Sequence, residues 1–379
     1  MTAASEHERQ SLLSIQVLRA LAALSVAFDH VARYEFGRQY GLPDALPSFE
    51  IGNVGVDLFF VISGFVMVYS SGGFFGRARA PQEFFLRRLA RIVPLYWLTT
   101  SIVLAYLLLQ YRDLARANFS LASVVASYLF VPYPQLDGLM VPVHGVGWTL
   151  NYEMFFYACF CFALLFSRRT GVVLLSVALL ALVALNQFMP LPNPIGYWAA
   201  PIILEFVFGM LIALGLRAGF RVPSPLAGCI VAIALLALAA VDRWGMGIVP
   251  RVVALGGPCA AIVGALALAR STAKPGPVWR ALSLLGDASY SLYLLHPLAF
   301  TLPRRLFPYL VNPATSPWLY AALLLATALA VAVIVHLLLE KPITRFLQRR
   351  IASVFHGERR TAAAVDLPPL AKPRADISS

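Results

Sequence analysis

The feature that most constrains this chain is a series of apolar runs, each about 17 to 25 residues long, recurring from Leu12 to Leu339. A helix rises 1.5 Å per residue, so a run of that length matches a hydrocarbon core of ~30 Å. Ten runs are expected as spans: 12–33, 53–70, 90–111, 147–166, 170–189, 195–216, 224–241, 250–269, 283–302 and 317–339. Composition agrees, with 60% apolar and only 13% charged residues, where soluble domains carry nearer a quarter charged. A shorter apolar piece, Leu121 to Val131, stops before Pro132 and Pro134 and is too short to cross. The expected fold class is an all-α polytopic membrane protein, a bundle of about ten transmembrane helices with no soluble domain. Its expected division is a cytoplasmic N-terminus at 1–11, a transmembrane domain at 12–345, and a cytoplasmic, disordered tail at 346–379.

The net charge of +12 bears on orientation rather than on nucleic acid, because the basic residues cluster at the ends of apolar runs. Most of the 30 Lys and Arg residues fall on the side that also holds the N-terminus, which makes both termini cytoplasmic by the positive-inside rule. Membrane lipid is therefore an expected partner and nucleic acid is not. The mixed charges of Glu6, His7, Glu8 and Arg9 do not resemble a cleaved leader, so the first run reads as a retained span. Cys159, Cys161, Cys229 and Cys259 all sit in apolar segments and read as buried thiols, with no disulfide framework and no metal spacing.

The first run contains Arg19 and His30, eleven positions apart. On a helix that is about 1100°, within roughly 20° of three full turns, with a rise of about 16 Å. Both side chains therefore belong to one stripe, and ionisable groups inside a membrane usually face a partner or a wet cavity. The expected topology adds Asp57, Glu153, Glu205 and His296 from four other spans, converging with His30 toward the outer half. Arg87, Arg88 and Arg91 crowd the inner mouth. Each residue also has a structural reading. An intramembrane His or Glu can simply bridge helices, Asp57 can cap or pair, and the three arginines can anchor topology. Ser63 and Gly64 read as close helix packing through small residues. The functional reading makes His30 a general base toward a hydroxyl, Glu153 the carboxylate that orients its imidazole, and the arginines a phosphate site.

Several segments then follow one another in order. They are Arg19 with His30, Gly55 to Phe65, Arg87 to Tyr96, Gly147-Trp148 to Tyr157, and Ser289 to Pro297. Together they resemble acyltransferase family 3, the bacterial integral membrane O-acyltransferases of surface polysaccharides, and most closely its exopolysaccharide acetyltransferase branch. The resemblance covers about residues 12 to 345. It implies ten helices in the bacterial inner membrane and acetyl-CoA or another acyl-CoA as co-substrate, with no permanently bound cofactor. It also implies a glycan or polyprenyl-linked glycan as acceptor and polysaccharide-assembly proteins as partners. It carries over Arg19 and His30 as the signature pair, Arg88 and Arg91 as a donor site and Glu153 as a further functional acid, so that His30, Glu153 and Arg19 are the catalytic candidates. From the residues themselves Arg87 joins the donor-binding group, Asp57, Trp148, His296 and Glu205 are further candidates, and no metal ligand is expected. A transporter or flippase for lipid-linked glycans is the alternative that spans and intramembrane charges alone also permit.

Overall fold

The computed structural model describes residues 3–42, 45–46, 54–269 and 276–365. The start of the second apolar run at 51–53, the basic residues Arg270 and Lys274, and the tail at 366–379 lie outside the described residues. Among the described residues the chain is all-helical and has no strand. The order is α1 Ala3–His30, α2 Val54–Ser70, α3 Ala80–Tyr111, α4 Leu121–Tyr128, α5 Trp148–Ala163, α6 Arg168–Phe188, α7 Ile195–Trp198 and α8 Leu204–Arg217. Then come α9 Ser224–Trp244, α10 Gly257–Leu268, α11 Pro277–Asp287, α12 Ser289–Ala299, α13 Pro303–Leu306, α14 Pro317–Val335 and α15 Lys341–Val365. Wide π-helical turns at Val31–Gln39, Val252–Gly256 and His336–Glu340 extend α1, lead into α10 and join α14 to α15.

Every expected run contains helix, but not every run is one long helix. Among the described residues five segments are long and apolar enough to cross a membrane: Leu13–Arg38, Ala80–Tyr111, Arg168–Phe188, Ser224–Trp244 and Pro317–Phe355. The fourth, sixth and ninth runs carry helices of 16, 14 and 11 residues. In the sixth, Pro201 follows an extended residue at Ala200 and restarts the helix. In the ninth, Ala288 separates α11 from α12. Hydropathy averages over such breaks because it scores composition and not backbone hydrogen bonding. Leu109, Phe188 and Leu236 are 82%, 89% and 70% exposed on the outside of this bundle, as lipid-facing side chains must be. The chain is a membrane protein.

Two further expectations change. The region after residue 345 is helical through Val365, because α15 continues α14 through the π turn. The thiols are all free, but only Cys259 is buried; Cys229 is exposed and Cys159 and Cys161 are half-buried. An apolar segment in a membrane protein hides a side chain from water without hiding it from lipid.

The middle of the bundle is set by the approach of α2 to α8. A Cβ on Gly64 would run into the Phe206 carbonyl, and a Cβ on Gly209 would run into the Val61 carbonyl. Small residues are how membrane helices gain packing contact when lipid removes the hydrophobic drive between them. Above that contact, the rings of Phe60, Phe206 and Phe156 stack at 4.5 and 4.3 Å, tying α2, α8 and α5 together. Gly64→Leu or Gly209→Leu should therefore cost more than the ~1–3 kcal/mol of ordinary overpacking, since the obstacle is backbone. The expected outcome is loss of monodisperse protein in detergent size-exclusion, with Ala at either site less damaging than Leu.

Candidate active site

A cavity opens where polar residues of α1, α2, α3, α5 and α12 face one another. It encloses about 750 Å³ of atom-free space, part of it open to solvent. Three arginines line it: Arg19 from α1, and Arg88 and Arg91 from α3. Arg88 and Arg91 lie three apart and so share a face of α3. Glu153 of α5 stands across the same cavity, where Ser63 Oγ donates to its Oε1 at 3.1 Å and Tyr157 donates to the same oxygen. Among the described residues Oε2 of Glu153 has no hydrogen-bond partner. Arg88 donates to Ser70 Oγ at 3.2 Å and lies over the rings of Phe84 and Tyr157 at 5.2 and 5.8 Å. Arg19 donates to Gln16 Oε1 at 3.1 Å, and Gln16 in turn donates to Asp287 at 2.7 Å. Tyr290 and Tyr293 complete the wall, anchored to the carbonyls of Ile92 and Val146.

Arg87 is placed elsewhere. It lies one residue from Arg88 and is turned about 100° away on α3. Its guanidinium binds Glu83 at 2.8 Å, and Glu83 also takes Arg77 at 3.1 Å. That i, i+4 pair holds the start of α3, and Arg87 is not among the cavity's lining residues.

The single shaft expected from Arg19 to His30 is interrupted. Arg19 lines the cavity; His30 lies beyond its roof, where Phe59 and Tyr293 meet ring to ring at 5.9 Å. The His30 ring packs edge-on to His296 at 4.6 Å and stacks on Tyr34 at 5.1 Å. His296 in turn lies 6.3 Å from the Tyr293 ring, so a relay of rings leads from cavity roof to His30. Nδ1–H of His30 donates to the Val26 carbonyl at 3.0 Å, which fixes the tautomer and leaves Nε2 as an acceptor. His296 repeats the arrangement with Leu292 at 3.1 Å, and its Nε2 is buried without a partner. His144, in the loop before α5, closes the group by donating from Nε2 to the Leu294 carbonyl at 2.8 Å. Burial pushes the His144 imidazole down to about 4 against the opposing pull of that bond, so it is neutral at neutral pH. Among the described residues no hydrogen bond or ion pair joins His30 to Glu153.

Asp57 and Glu205 form a third group, away from the cavity. Both are fully buried, and Asp57 Oδ2 accepts from Arg251 Nη2 at 2.7 Å. Glu205 lies against Asp57 with no donor to either of its oxygens. Trp148 starts α5, half-buried, with its ring edge-on to Tyr152 at 6.1 Å, and is not among the cavity's lining residues. The five ionisable groups expected to converge thus divide between the cavity, the histidines and this carboxyl pair. Helical spacing gives the face of a residue on its own helix but not which neighbour that face meets. Sequence reasoning missed Arg251, His144, Tyr157, Tyr290 and Tyr293. Arg251 stands at the start of the expected span 250–269, where its charge reads as an interface residue, and the tyrosines carry no signal that separates them from lipid-interface aromatics.

A helical membrane bundle around a cavity lined by three arginines and a carboxylate has the chemistry to hold an anionic ligand. The acyltransferase domain of acyltransferase family 3 matches residues 12–337, and the chain belongs to that family and is an acyltransferase. It is similar to the exopolysaccharide production protein ExoZ of Rhizobium meliloti strain 1021, at 36% identity over 309 residues, covering 78% of this chain and 91% of that protein. It is also similar to the acyltransferase MdmB of Streptomyces mycarofaciens, at 28% identity over 379 residues, covering 89% of this chain and 93% of that protein. A third relative, protein 2 in the picA locus of Rhizobium radiobacter, is 29% identical over 202 residues, 48% of this chain and all of that protein. No solved structure matches the chain.

The carboxyl pair yields a stability prediction. Removing the cation of a buried pair leaves charge uncompensated, a loss of about 3–5 kcal/mol for a fully buried pair and less here, because the Arg251 side chain is 36% exposed. Arg251→Met should lower the thermal midpoint in detergent, and adding Glu205→Gln to it should recover part of the loss.

Proposed function

We propose that this protein moves an acyl group, acetyl in the simplest case, from acyl-CoA to a hydroxyl of a surface polysaccharide or its lipid-linked precursor. The observation that carries the proposal is that Arg19, Arg88 and Arg91 face one cavity with Glu153. Family membership supports the acyl chemistry, and likeness to ExoZ, named for exopolysaccharide production, supports a glycan acceptor. The proposed setting is the bacterial inner membrane with ten crossings and both termini cytoplasmic. Donor then enters at the arginines, and the glycan meets His30 from the outer side.

The chemistry is a direct transfer. Nε2 of His30 takes the proton of the acceptor hydroxyl as its oxygen bonds to the thioester carbonyl carbon. The C–S bond then breaks, and the thiolate leaves as the thiol by taking up the proton that His30 received, which returns the imidazole to its neutral form. His30 suits the task because its Nδ1–H is already committed to Val26 and its Nε2 lone pair is open. His296, in ring contact, holds the His30 plane and is a positioning residue. Glu153 takes a different role from the one its sequence position implies. Held by Ser63 and Tyr157, it is the counter-charge to the three cations across the cavity.

Two measurements test this. Glycan ester content of a deletion strain complemented with His30→Ala should fall to background while Glu153→Gln keeps a reduced level. Normal ester content with correctly inserted His30→Ala overturns the base assignment, and loss in Glu153→Gln alone transfers it to Glu153. In purified protein, Arg88→Ala and Arg91→Ala should each raise KM for acetyl-CoA about tenfold or more, a loss of ~1.4 kcal/mol. Arg87→Ala should leave it within about twofold, since Arg87 is bound to Glu83 and not to the cavity.

A further inference from the structure

Beside the central cavity lies a second concavity of about 670 Å³ of atom-free space, and the two share Arg19 and Arg91. One wall is a single face of α15, with Lys341, Thr344, Arg345 and Gln348 at i, i+3, i+4 and i+7. The π turn at His336–Glu340 sets where that face points, and such turns recur at functional sites because they re-aim a helix without breaking it. Facing it are Gln16 and Arg19 of α1 and Asp287 at the end of α11.

Four cations, Arg19, Arg91, Lys341 and Arg345, therefore line this mouth against two acids, Asp287 and Glu340. Both acids already have partners. Glu340 Oε2 accepts from Ser291 at 2.6 Å and lies 2.9 Å from His336 Nδ1, while Asp287 accepts from Gln16 at 2.7 Å. Among the described residues Arg91, Lys341 and Arg345 have neither a hydrogen bond nor an ion pair. A concave wall of unpaired cations is a binding surface for an anion carrying several charges. A lone surface lysine would not be, but these residues come from three elements and share one hollow. The hollow also opens directly onto the arginines of the reaction cavity.

We infer that this mouth binds the phosphate groups of the donor's nucleotide end, with Lys341 and Arg345 as binding residues and Arg19 and Arg91 as the neck through which the thioester arm reaches the cavity. The inference rests on acyl-CoA being the donor. A phospholipid headgroup presents the same phosphate chemistry, so the test separates the two sources.

The test uses full-length protein in phosphatidylcholine nanodiscs, comparing wild type with the double variant Lys341→Glu, Arg345→Glu. Calorimetric titration with free coenzyme A should show binding at least tenfold weaker in the variant, and adenosine 3′,5′-bisphosphate should compete in the wild type. KM for acetyl-CoA should rise by a similar factor, while KM for acetyl-pantetheine, which lacks the nucleotide, stays within about twofold and shows the variant is folded. Unchanged coenzyme A affinity, or an equal shift for both donors, overturns the inference and leaves the acyl-CoA reading standing. A variant that loses co-purifying anionic lipid but not coenzyme A affinity makes the mouth a lipid site and also overturns it. Coenzyme A binding that weakens as expected, in a protein that transfers no acyl group from it, keeps the mouth and overturns the proposed reaction instead.

Discussion

An ionised side chain left in hydrocarbon costs several kcal/mol, and the interior of this bundle is arranged around avoiding that cost. Three solutions appear side by side. Asp57, fully buried, is paired with the partly exposed Arg251. His30 and His296 each pass one N–H to a backbone carbonyl four residues earlier. Arg19, Arg88 and Arg91 keep an open cavity, with Glu153 across it as counter-charge. The third solution leaves room for a ligand, and so separates the site from the scaffold.

The scaffold depends on small residues as the site depends on charges. Close contact of α2 and α8 through Gly64 and Gly209 places the two sides of α2 in different environments. One side presents Phe59 and Ser63 to the cavity, while Asp57 on another meets Arg251 and Glu205. Ser63 and Gly64 are adjacent yet divide the work: the glycine admits the Phe206 backbone, and the serine donates to Glu153. Expecting packing from that pair accounted for the glycine alone.

The histidines and the arginines stand on opposite sides of an aromatic layer made by Phe59 and Tyr293. In the proposed reaction that separation is useful, because the donor and the acceptor approach from opposite faces of the membrane. The thioester carbonyl and the sugar hydroxyl would meet between His30 and the roof of the cavity. There the imidazole, anchored through Nδ1–H to the Val26 carbonyl, keeps its acceptor nitrogen free.

The residues themselves determined that this chain lives in a membrane, because runs of apolar side chains leave no other solvent for it. Ordered motifs determined its family, while helical periodicity left Arg87, Arg88 and Arg91 together and only the cavity separated Arg87, held by Glu83, from the other two. Only the tertiary structure decided which faces meet. Periodicity put Arg19 and His30 on one stripe, but the neighbour opposite that stripe changes along its length, from α3 and α5 at Arg19 to α12 at His30. Likewise nothing local marks Arg251 as the partner of Asp57, 194 positions away, or sets Lys341 and Arg345 beside Arg19. Those pairings come from how the helices cross, which long-range packing fixes and no single segment encodes.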